Sequence, residues 1–189
     1  MRLVLATRNP HKVREFGTLL TAHEIVPLPD NVDLPPETAD TFAGNALGKA
    51  RAAFAATGLP AVADDSGIEA AALDGAPGVR SARYAGEDAT DEQNLAKLLR
   101  EAPAGSPLAY VCALAHVDER GGEQVVEGRC TGTLAQQPRG DGGFGYDPAF
   151  LPDDISDGRT MAELEPAEKD AISHRGRAAR ALLARLDEA

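Results

Sequence analysis

An apolar run that ends in two adjacent acidic residues constrains this chain more than any other feature of its sequence. Residues 59–63 are typical of a buried strand, and Asp64-Asp65-Ser66-Gly67 follow them directly. The glycine predicts a turn, which would leave the carboxylates at the strand end, where α/β proteins commonly bind ligands. Adjacent carboxylates repel each other, and their hard oxygens suit Mg²⁺. Taken alone, the four residues fit an ordinary strand-to-turn segment equally well.

The composition leaves room for one well-packed domain, and we expect a single α/β domain over residues 1–189. Of these residues, 43% are apolar and 26% are charged, which is ordinary for a globular protein. The longest apolar run, residues 108–115, is too short to cross a bilayer, and the N-terminal residues lack the apolar core of a signal peptide. We therefore expect a cytoplasmic protein without a membrane partner, in which Cys112 and Cys130 are reduced core residues.

A formal net charge of −11 narrows the classes of partner. Nucleic-acid binding depends on neutralising backbone phosphates, so the acidic balance argues against it. A small anionic ligand stays compatible if its site is locally positive. The sequence holds four lysines, and three of them, Lys12, Lys49 and Lys169, fall in segments that carry other candidate site residues.

Strand-like and helix-like patterns alternate at both ends of the chain around a central β-rich part, which predicts an α/β fold with a mixed sheet. Asn45 and Lys49 are four residues apart and should share one face of a helix that Gly58 ends. Thr90 with Gln93, and Thr160 with Glu163, match capping boxes. The predicted strands are 2–6, 23–28, 59–63, 108–118 and 124–135, and 68–73 is favoured as a strand over a helix. One predicted helix begins at Pro10, and the others cover 41–57, 91–101 and 166–186.

The loop Thr7-Arg8-Asn9-Pro10-His11-Lys12 connects the first strand to the first helix. Backbone N–H groups at a helix N-terminus, two polar side chains and a lysine could hold a phosphate there. The loop lacks the glycine pattern of a Walker or Rossmann turn, so neither of those nucleotide-binding classes applies. The alternative is an ordinary strand–loop–helix connection.

Two later segments could contact a flat ligand. Gly142-Gly143-Phe144-Gly145-Tyr146-Asp147-Pro148 combines flexible glycines with two aromatic rings and an acid, so it could approach a ring closely and stack on it. Lys169-Asp170-Ala171-Ile172-Ser173-His174-Arg175 gathers cations, a hydroxyl and an imidazole, and on a helix Lys169 and Ser173 would share a face. The alternatives are a tight turn with core aromatics and a solvated helix surface.

In combination these segments resemble the inosine triphosphate pyrophosphatase family, whose bacterial members are dITP/XTP pyrophosphatases of the RdgB type. The resemblance runs in order from Leu3 to the C-terminal helix, with one departure at Arg8, where many relatives carry a small residue. It rests on Thr7-Arg8-Asn9, Lys12, Glu15, Glu37-Thr38, Thr41-Phe42, Asn45-Ala46, Lys49-Ala50, Ala63-Asp64-Asp65-Ser66-Gly67, Gly75-Ala76-Pro77-Gly78-Val79, Ser81-Ala82-Arg83-Tyr84, Gly143-Phe144-Gly145-Tyr146-Asp147-Pro148, Glu168-Lys169 and Ile172-Ser173-His174-Arg175.

The resemblance implies two α/β lobes around a long mixed β-sheet with a central substrate cleft, the ITPase-like or Maf/Ham-like fold, in a homodimer. It implies Mg²⁺-dependent hydrolysis of ITP, dITP and XTP at the α–β phosphoanhydride bond, giving the monophosphate and pyrophosphate and removing deaminated purines from the nucleotide pool. Asp65 would be the catalytic base and, with Glu37, a metal ligand. The substrate-binding residues would be Thr7, Arg8, Asn9, Pro10, His11, Lys12, Lys49 and Ser66 together with Phe144, Gly145, Tyr146, Asp147, Lys169, Ser173, His174 and Arg175.

Two other functions compete with this interpretation. Maf-like nucleotide pyrophosphatases have a related fold and reaction, but they usually open with a Ser-x-Ser-Pro-Arg-type loop, which this chain lacks. A non-catalytic nucleotide-binding module is the alternative from another class. Asp65 and Glu37 argue against it, because a pure binder has little reason to place extra carboxylates beside phosphates.

Overall fold

The computed structural model describes residues 1–187, which form six β-strands and five α-helices. None of the helices in this described part is long and apolar enough to cross a membrane. In chain order the elements are β1 (Arg2–Leu5), α1 (Pro10–Leu19), β2 (Glu24–Pro27), α2 (Phe42–Thr57), β3 (Ala61–Ala70), α3 (Asp91–Glu101), β4 (Pro107–Val117), β5 (Glu123–Leu134), β6 (Phe150–Pro152), α4 (Pro166–Ile172) and α5 (His174–Asp187).

The strands pair in the order β2-β1-β3-β4-β5-β6. β1 is parallel to both β2 and β3, with Val4 opposite Val26 and Ala61, whereas β5 is antiparallel to β6. Parallel strands need crossover connections, and α1 and α2 lie in the chain between β1 and β2 and between β2 and β3. The predicted α/β fold with a mixed sheet is therefore confirmed.

One compact unit comprises Met1–Asp65, Cys112–Gly128 and the chain from Arg175. Its first two helices begin within one residue of the predicted positions, and α2 also ends at the predicted residue. Pro10 occupies the first turn of α1, and the Asn9 side chain accepts hydrogen bonds from backbone N–H groups of that turn. Gly58 ends α2 in a left-handed conformation (φ +66°). The fully buried side chains of its core include Leu3, Phe16, Leu20, Val62, Leu114 and Leu182.

A second compact unit comprises Ser66–Val111 and Arg129–His174. Thr90 and Gln93 form the predicted capping box at the start of α3, whose Leu98 is fully buried. Thr160 and Glu163 form the other, which opens only a short 3₁₀ turn at Met161–Glu163. The core of this unit includes Ile68, Leu98, Tyr110, Leu134, Phe150 and Met161.

The predicted turn at Gly67 is wrong, because β3 continues through Gly67 to Ala70. Lys12 pairs with Asp64, and the Asn45 amide donates to Asp65, so both carboxylates can be buried within a strand. The chain turns at Asp74-Gly75 instead, where both residues have positive φ. The favoured strand over 68–73 is correct only as far as Ala70, since Ala71–Leu73 is a 3₁₀ turn.

The predicted single helix over 166–186 is two helices. Ser173 has an extended backbone (ψ 156°) and separates α4 from α5. Serine competes for backbone hydrogen bonds and favours the position before a helix, so it can end one helix and begin the next. As a consequence, Lys169 and Ser173 do not share a face of one continuous helix. Cys112 and Cys130 are buried thiols, as predicted.

Candidate active site

Asp64 is the fully buried centre of a charged cluster in the first unit. Its Oδ2 atom lies 2.8 Å from Lys12 Nζ and 3.7 Å from Arg175 Nε. Burial alone would raise the pKa of Asp64, but the charges of Lys12, Arg175 and Lys49 outweigh that effect and lower the pKa to about 2. Asp64 is therefore ionised at any physiological pH and holds the cations around it.

Asp65, the next residue along β3, has the opposite electrostatic character. Burial and the negative charge of Glu37 raise its pKa, and they outweigh Lys49 and the hydrogen bond from Asn45. That bond joins Asn45 Nδ2 to Asp65 Oδ2 at 2.8 Å. Asp65 therefore combines a fixed orientation with an increased affinity for a proton, which is what a general base requires.

The buried face of α2 supplies two of the groups around these carboxylates. Asn45 and Lys49 are one helical turn apart and both are buried, so the shared face predicted from their spacing is confirmed. Lys49 Nζ lies 2.6 Å from Glu37 Oε1. Burial works against the charged form of Lys49, yet Asp64, Glu37 and Asp65 together raise its pKa, so Lys49 stays a cation.

The loop from Thr7 to Lys12 is ordered by its own polar side chains. Thr7 Oγ1 accepts from the Asn9 N–H at 3.2 Å, and Asn9 Oδ1 accepts from the His11 N–H at 2.9 Å and the Lys12 N–H at 3.4 Å. Lys12 extends from the first turn of α1 to Asp64. The loop therefore places a lysine and a helix N-terminus in the unit that holds the acidic pair.

Arg8 stabilises the fold through hydrogen bonds to backbone carbonyls. Its guanidinium donates to the carbonyl oxygens of Leu28 at 2.9 Å, Pro29 at 2.6 Å and Val32 at 2.9 Å. Asp30 lies 3.6 Å away. Arg8 thus ties the loop after β1 to the segment that follows β2 and leads towards Glu37.

Arg175, near the start of α5, also contacts the charged cluster. Its Nη1 atom donates to Glu15 Oε2 at 3.0 Å, and its Nε faces Asp64. The side chain is only about 6% exposed. These contacts place Arg175 with the acidic groups of the first unit, while its predicted role in binding the substrate stays a prediction.

Asp147 is the centre of a second cluster, which lies within the second unit. Its Oδ2 atom accepts from Lys169 Nζ at 2.8 Å and from the Phe144 N–H at 3.0 Å. Its Oδ1 atom accepts from the Tyr110 hydroxyl at 3.0 Å. Asp147 and Lys169 are both buried, and Lys169 Nζ lies 5.3 Å from the centre of the Phe144 ring. One carboxylate therefore fixes a lysine, a loop and a tyrosine.

The glycine-rich loop packs tightly against this carboxylate. A Cβ atom on Gly143, whose φ is +69°, would lie 2.0 Å from Asp147 Oδ2 and 3.1 Å from Lys169 Nζ, so no other residue fits there without displacing them. The Gly145 N–H donates to Asp91 at the start of α3, and the Tyr146 hydroxyl donates to the Ser81 carbonyl at 2.7 Å. These contacts orient the Phe144 ring.

The junction between α4 and α5 contributes to the same cluster. The Ser173 N–H donates to the Lys169 carbonyl at 2.8 Å, which closes α4. The His174 ring stacks on Tyr110 with 4.6 Å between ring centres and an angle of 6° between planes. Both His174 and Ser173 are buried.

The chemistry of the Asp65 surroundings fits a magnesium ion. Among the described residues, no group of three or more His, Cys, Asp or Glu side chains could hold a metal ion by itself. Mg²⁺ is usually bound by one or two carboxylates together with substrate phosphates, so a complete protein cage is not needed. Glu37 raises the pKa of Asp65 by charge repulsion, which a dication beside the two carboxylates would relieve.

The structure thus sorts most of the predicted site residues into two clusters. Lys12, Lys49, Glu37, Asp65 and Arg175 belong to the first. Phe144, Asp147, Lys169, Ser173 and His174 belong to the second, and Ser66 follows Asp65 on β3.

Sequence reasoning missed the roles of two buried residues. The sequence pattern places Tyr110 only in an apolar strand. The available signal is its hydroxyl, because a buried tyrosine hydroxyl usually needs a hydrogen-bond partner. Asn45 was placed on the correct helix face but without a partner. Asp65, which it contacts, is distant in the sequence.

Comparison with known proteins decides the family. A sequence model of the Ham1 family matches residues 3–185. The chain belongs to the Ham1 family. It is 49% identical to a dITP/XTP pyrophosphatase from Mycolicibacterium paratuberculosis, covering 98% of this chain and 95% of that protein. It is 51% identical to a dITP/XTP pyrophosphatase from Frankia alni, covering 100% of this chain and 98% of that protein.

Solved Ham1 structures agree with the fold. A HAM1 protein from Coxiella burnetii superposes with a TM-score of 0.89 at 42% identity, covering all of both chains. The Ham1 protein of Staphylococcus aureus superposes with a TM-score of 0.86 at 34% identity, covering 100% of this chain and 99% of that one. The family membership predicted from the motifs is confirmed.

Proposed function

We propose that this Ham1-family chain hydrolyses ITP, dITP and XTP to the nucleoside monophosphate and pyrophosphate. The observation that carries the proposal is the geometry of the pair Asp64 and Asp65 on β3: Asp64 Oδ2 lies 2.8 Å from Lys12 Nζ, and Asp65 Oδ2 accepts from Asn45 Nδ2 at 2.8 Å. The pKa values of the two carboxyl groups are shifted in opposite directions, which agrees with different roles for them. The names of relatives at about 50% identity support the same substrates. The activity would remove deaminated purines from the nucleotide pool, and we place it in the cytoplasm, where that pool is used.

In this proposal, the first cluster binds the triphosphate. Lys12 and Lys49 supply positive charge, and the N-terminus of α1 adds the partial charge of its backbone N–H groups. Asp64 holds Lys12 and Arg175 in place before substrate arrives, so little reorganisation is needed on binding. A chain with a net charge of −11 needs such a local concentration of cations to bind a polyanion.

Asp65 is the proposed general base. It removes a proton from a water molecule as the water oxygen forms a bond to the α-phosphorus and the bond from that phosphorus to the α–β bridging oxygen breaks. The raised pKa of Asp65 increases its proton affinity, while the hydrogen bond from Asn45 keeps the carboxylate oriented. The products are the monophosphate and pyrophosphate.

Asp65 and Glu37 are the proposed ligands of Mg²⁺, together with substrate phosphate oxygens. When bound, the ion would supply positive charge to stabilise the developing pyrophosphate. Lys49 donates a hydrogen bond to Glu37, and its positive charge attracts the carboxylate of Asp65, so it would orient both carboxylates.

The second cluster is proposed to bind the base. Phe144 offers a ring for stacking, and Lys169 is a donor only. Hypoxanthine and xanthine carry a carbonyl at purine position 6, which a donor can satisfy, whereas adenine carries an amino donor there. An unpaired buried donor costs about 1–3 kcal/mol, or roughly a ten- to hundredfold loss. We therefore expect ITP and XTP to react well ahead of ATP.

A substrate panel tests the proposal. The purified chain is incubated with ITP, XTP, ATP, GTP, CTP or UTP and Mg²⁺, with and without added inorganic pyrophosphatase. We expect orthophosphate only when pyrophosphatase is present, and most from ITP and XTP. Tight nucleotide binding without pyrophosphate release would support a non-catalytic binding module instead.

We also propose that the chain forms a homodimer and folds as one domain over residues 1–189, as the family resemblance implies. Light scattering at micromolar concentration should give about twice the chain mass of 19.7 kDa. A single cooperative unfolding transition, seen equally by two spectroscopic probes, is expected for one domain. A mass near that of one chain, or two separate transitions, would contradict these assignments.

A further inference from the structure

Tyr110 connects two of the groups proposed to contact the base. It lies on β4 and is only 6% exposed. Its hydroxyl donates to Asp147 Oδ1 at 3.0 Å, and its ring stacks on His174 at 4.6 Å with nearly parallel planes. The ring also packs against Phe150, with 4.7 Å between centres.

The hydroxyl determines how Asp147 can point. Asp147 Oδ2 accepts from both Lys169 Nζ and the Phe144 N–H, so Oδ1 is the oxygen that sets the remaining rotation of the carboxylate. The Tyr110 hydroxyl holds that oxygen. Since Lys169 is oriented by Asp147, the direction of its N–H donors depends on a tyrosine that lies beneath the cluster rather than on the loop itself.

The orientation of a buried donor matters for selectivity. A lysine ammonium on a flexible stem can rotate to suit different acceptors unless a fixed partner restrains it. With its carboxylate partner locked, Lys169 presents donors in one direction and favours a carbonyl over an amino group. Loosening the carboxylate would let the ammonium withdraw from a mismatched amino group, which lowers the penalty for the wrong base.

We propose that Tyr110 is a specificity-determining positioning residue, which sets the preference for 6-oxopurines through Asp147 and Lys169 and orients His174 by stacking. The proposal rests on the base-binding role given above to the second cluster. It predicts an effect on substrate choice rather than on the chemical step, because Tyr110 bonds to Asp147 and stacks on His174, two residues of the cluster proposed to bind the purine.

Tyr110→Phe removes the hydroxyl while it keeps the ring, its volume and its stacking partner. We expect the ratio of kcat/KM for ITP to that for ATP to fall about three- to tenfold, the range given by the net contribution of one typical intramolecular hydrogen bond. The change should appear as a higher KM for ITP, whose carbonyl loses an oriented donor, and a lower KM for ATP, whose amino group is no longer opposed by one. The matched control is Tyr84→Phe, which also removes a tyrosine hydroxyl bonded to a carboxylate, that of Glu101, in the same unit.

If Tyr110 only stabilised the fold, its substitution would change the melting temperature and not the ITP-to-ATP ratio of kcat/KM. If Tyr110→Phe lowers the melting temperature but leaves the ITP-to-ATP ratio within twofold of the parent, the proposal is overturned. The double variant with Asp147→Asn provides a further check. If Tyr110 acts through Asp147, adding Tyr110→Phe to Asp147→Asn should change the ratio by less than twofold, and an undiminished effect would also overturn the proposal.

Binding without turnover separates this proposal from the proposed reaction. Calorimetric titration of the parent and of Tyr110→Phe with IMP and AMP needs no catalysis. A smaller IMP preference in the variant supports the role of Tyr110 even if no pyrophosphate is released in the assay. An equal preference in both proteins contradicts it, whatever the parent hydrolyses.

Discussion

The two clusters each contain a buried lysine–carboxylate pair, yet they differ in how their charges are balanced. In the first unit, Lys12 and Lys49 face three carboxylates, and the neighbours Asp64 and Asp65 have pKa values moved in opposite directions. In the second unit, one carboxylate, Asp147, accepts from Lys169, a backbone N–H and a tyrosine hydroxyl.

This difference in charge balance suits one cluster to proton transfer and the other to recognition of a purine base. A proton-transfer step needs a group that can change its charge state, and only a site with competing charges keeps one carboxylate ionised and its neighbour more basic. Recognition of a purine base needs hydrogen-bond donors and acceptors that do not move. A fully hydrogen-bonded carboxylate provides them. The first cluster is suited to reaction and the second to selection.

The largest expected effect is on activity at Asp65. Asp65→Asn keeps the shape of the side chain but removes the proposed base and one metal ligand, so kcat should fall by about 10²–10⁴-fold or more. Its folded-state pKa is raised, which means that ionised Asp65 costs stability at neutral pH, and the variant should be at least as stable as the parent. Turnover and thermal unfolding measured on the same preparation test both statements.

The matched control is Asp153→Asn, which neutralises an exposed carboxylate. It should leave turnover unchanged. Activity of Asp65→Asn within tenfold of the parent would move the base elsewhere, with Asp64 as the first candidate.

The next effect is on stability at Asp64. Asp64→Asn leaves Lys12 and Arg175 buried without their shared counter-charge, which should lower the free energy of unfolding by about 3–5 kcal/mol. Ionised Asp64 stabilises the fold above the unfolded-state pKa of about 4, and this contribution is lost as pH falls towards about 2. Urea unfolding across that range should therefore show the difference between parent and variant shrinking with acidity. A difference that is equally large at pH 2 and pH 7 would contradict the lowered pKa.

A smaller effect is expected at Arg8. Arg8→Ala removes donors from three carbonyls in the segment that leads to Glu37, so hydrogen exchange should quicken over residues 28–37. The half-saturating Mg²⁺ concentration should rise by about two- to fivefold, as expected for modest, partly exposed hydrogen bonds. Arg14→Ala removes the same charge from an exposed position on α1 and should change neither quantity. Unchanged exchange in Arg8→Ala would show that the guanidinium does not order this segment.

Local rules determined which parts of the fold could be predicted. The capping box at Thr90, the stop at Gly58 and the shared face of Asn45 and Lys49 depend on residues within a few positions of each other, and all three are confirmed. The path of β3 could not be read locally. Gly67 after two adjacent acids favours a turn there unless distant cations neutralise the acids, and Lys12 and Arg175 come from opposite ends of the chain.

The site shows the same division. The motifs identified the charged residues of both clusters, but not that their interactions form two separate clusters. The break at Ser173 places Lys169 and His174 on separate helices, and the single-helix prediction could not show this. The role of Tyr110 could not be predicted from its position in an apolar strand, because its hydrogen-bond partner Asp147 is distant in the sequence.

Hydrolysis of ITP in ¹⁸O-labelled water shows which phosphorus atom the water attacks. If Asp65 activates water for attack on the α-phosphorus, the label appears in IMP, the pyrophosphate is unlabelled, and no orthophosphate forms without added pyrophosphatase. Mass spectrometry of the separated products reads both outcomes in one experiment. Label in the pyrophosphate, or stepwise release of orthophosphate through IDP, would contradict attack on the α-phosphorus.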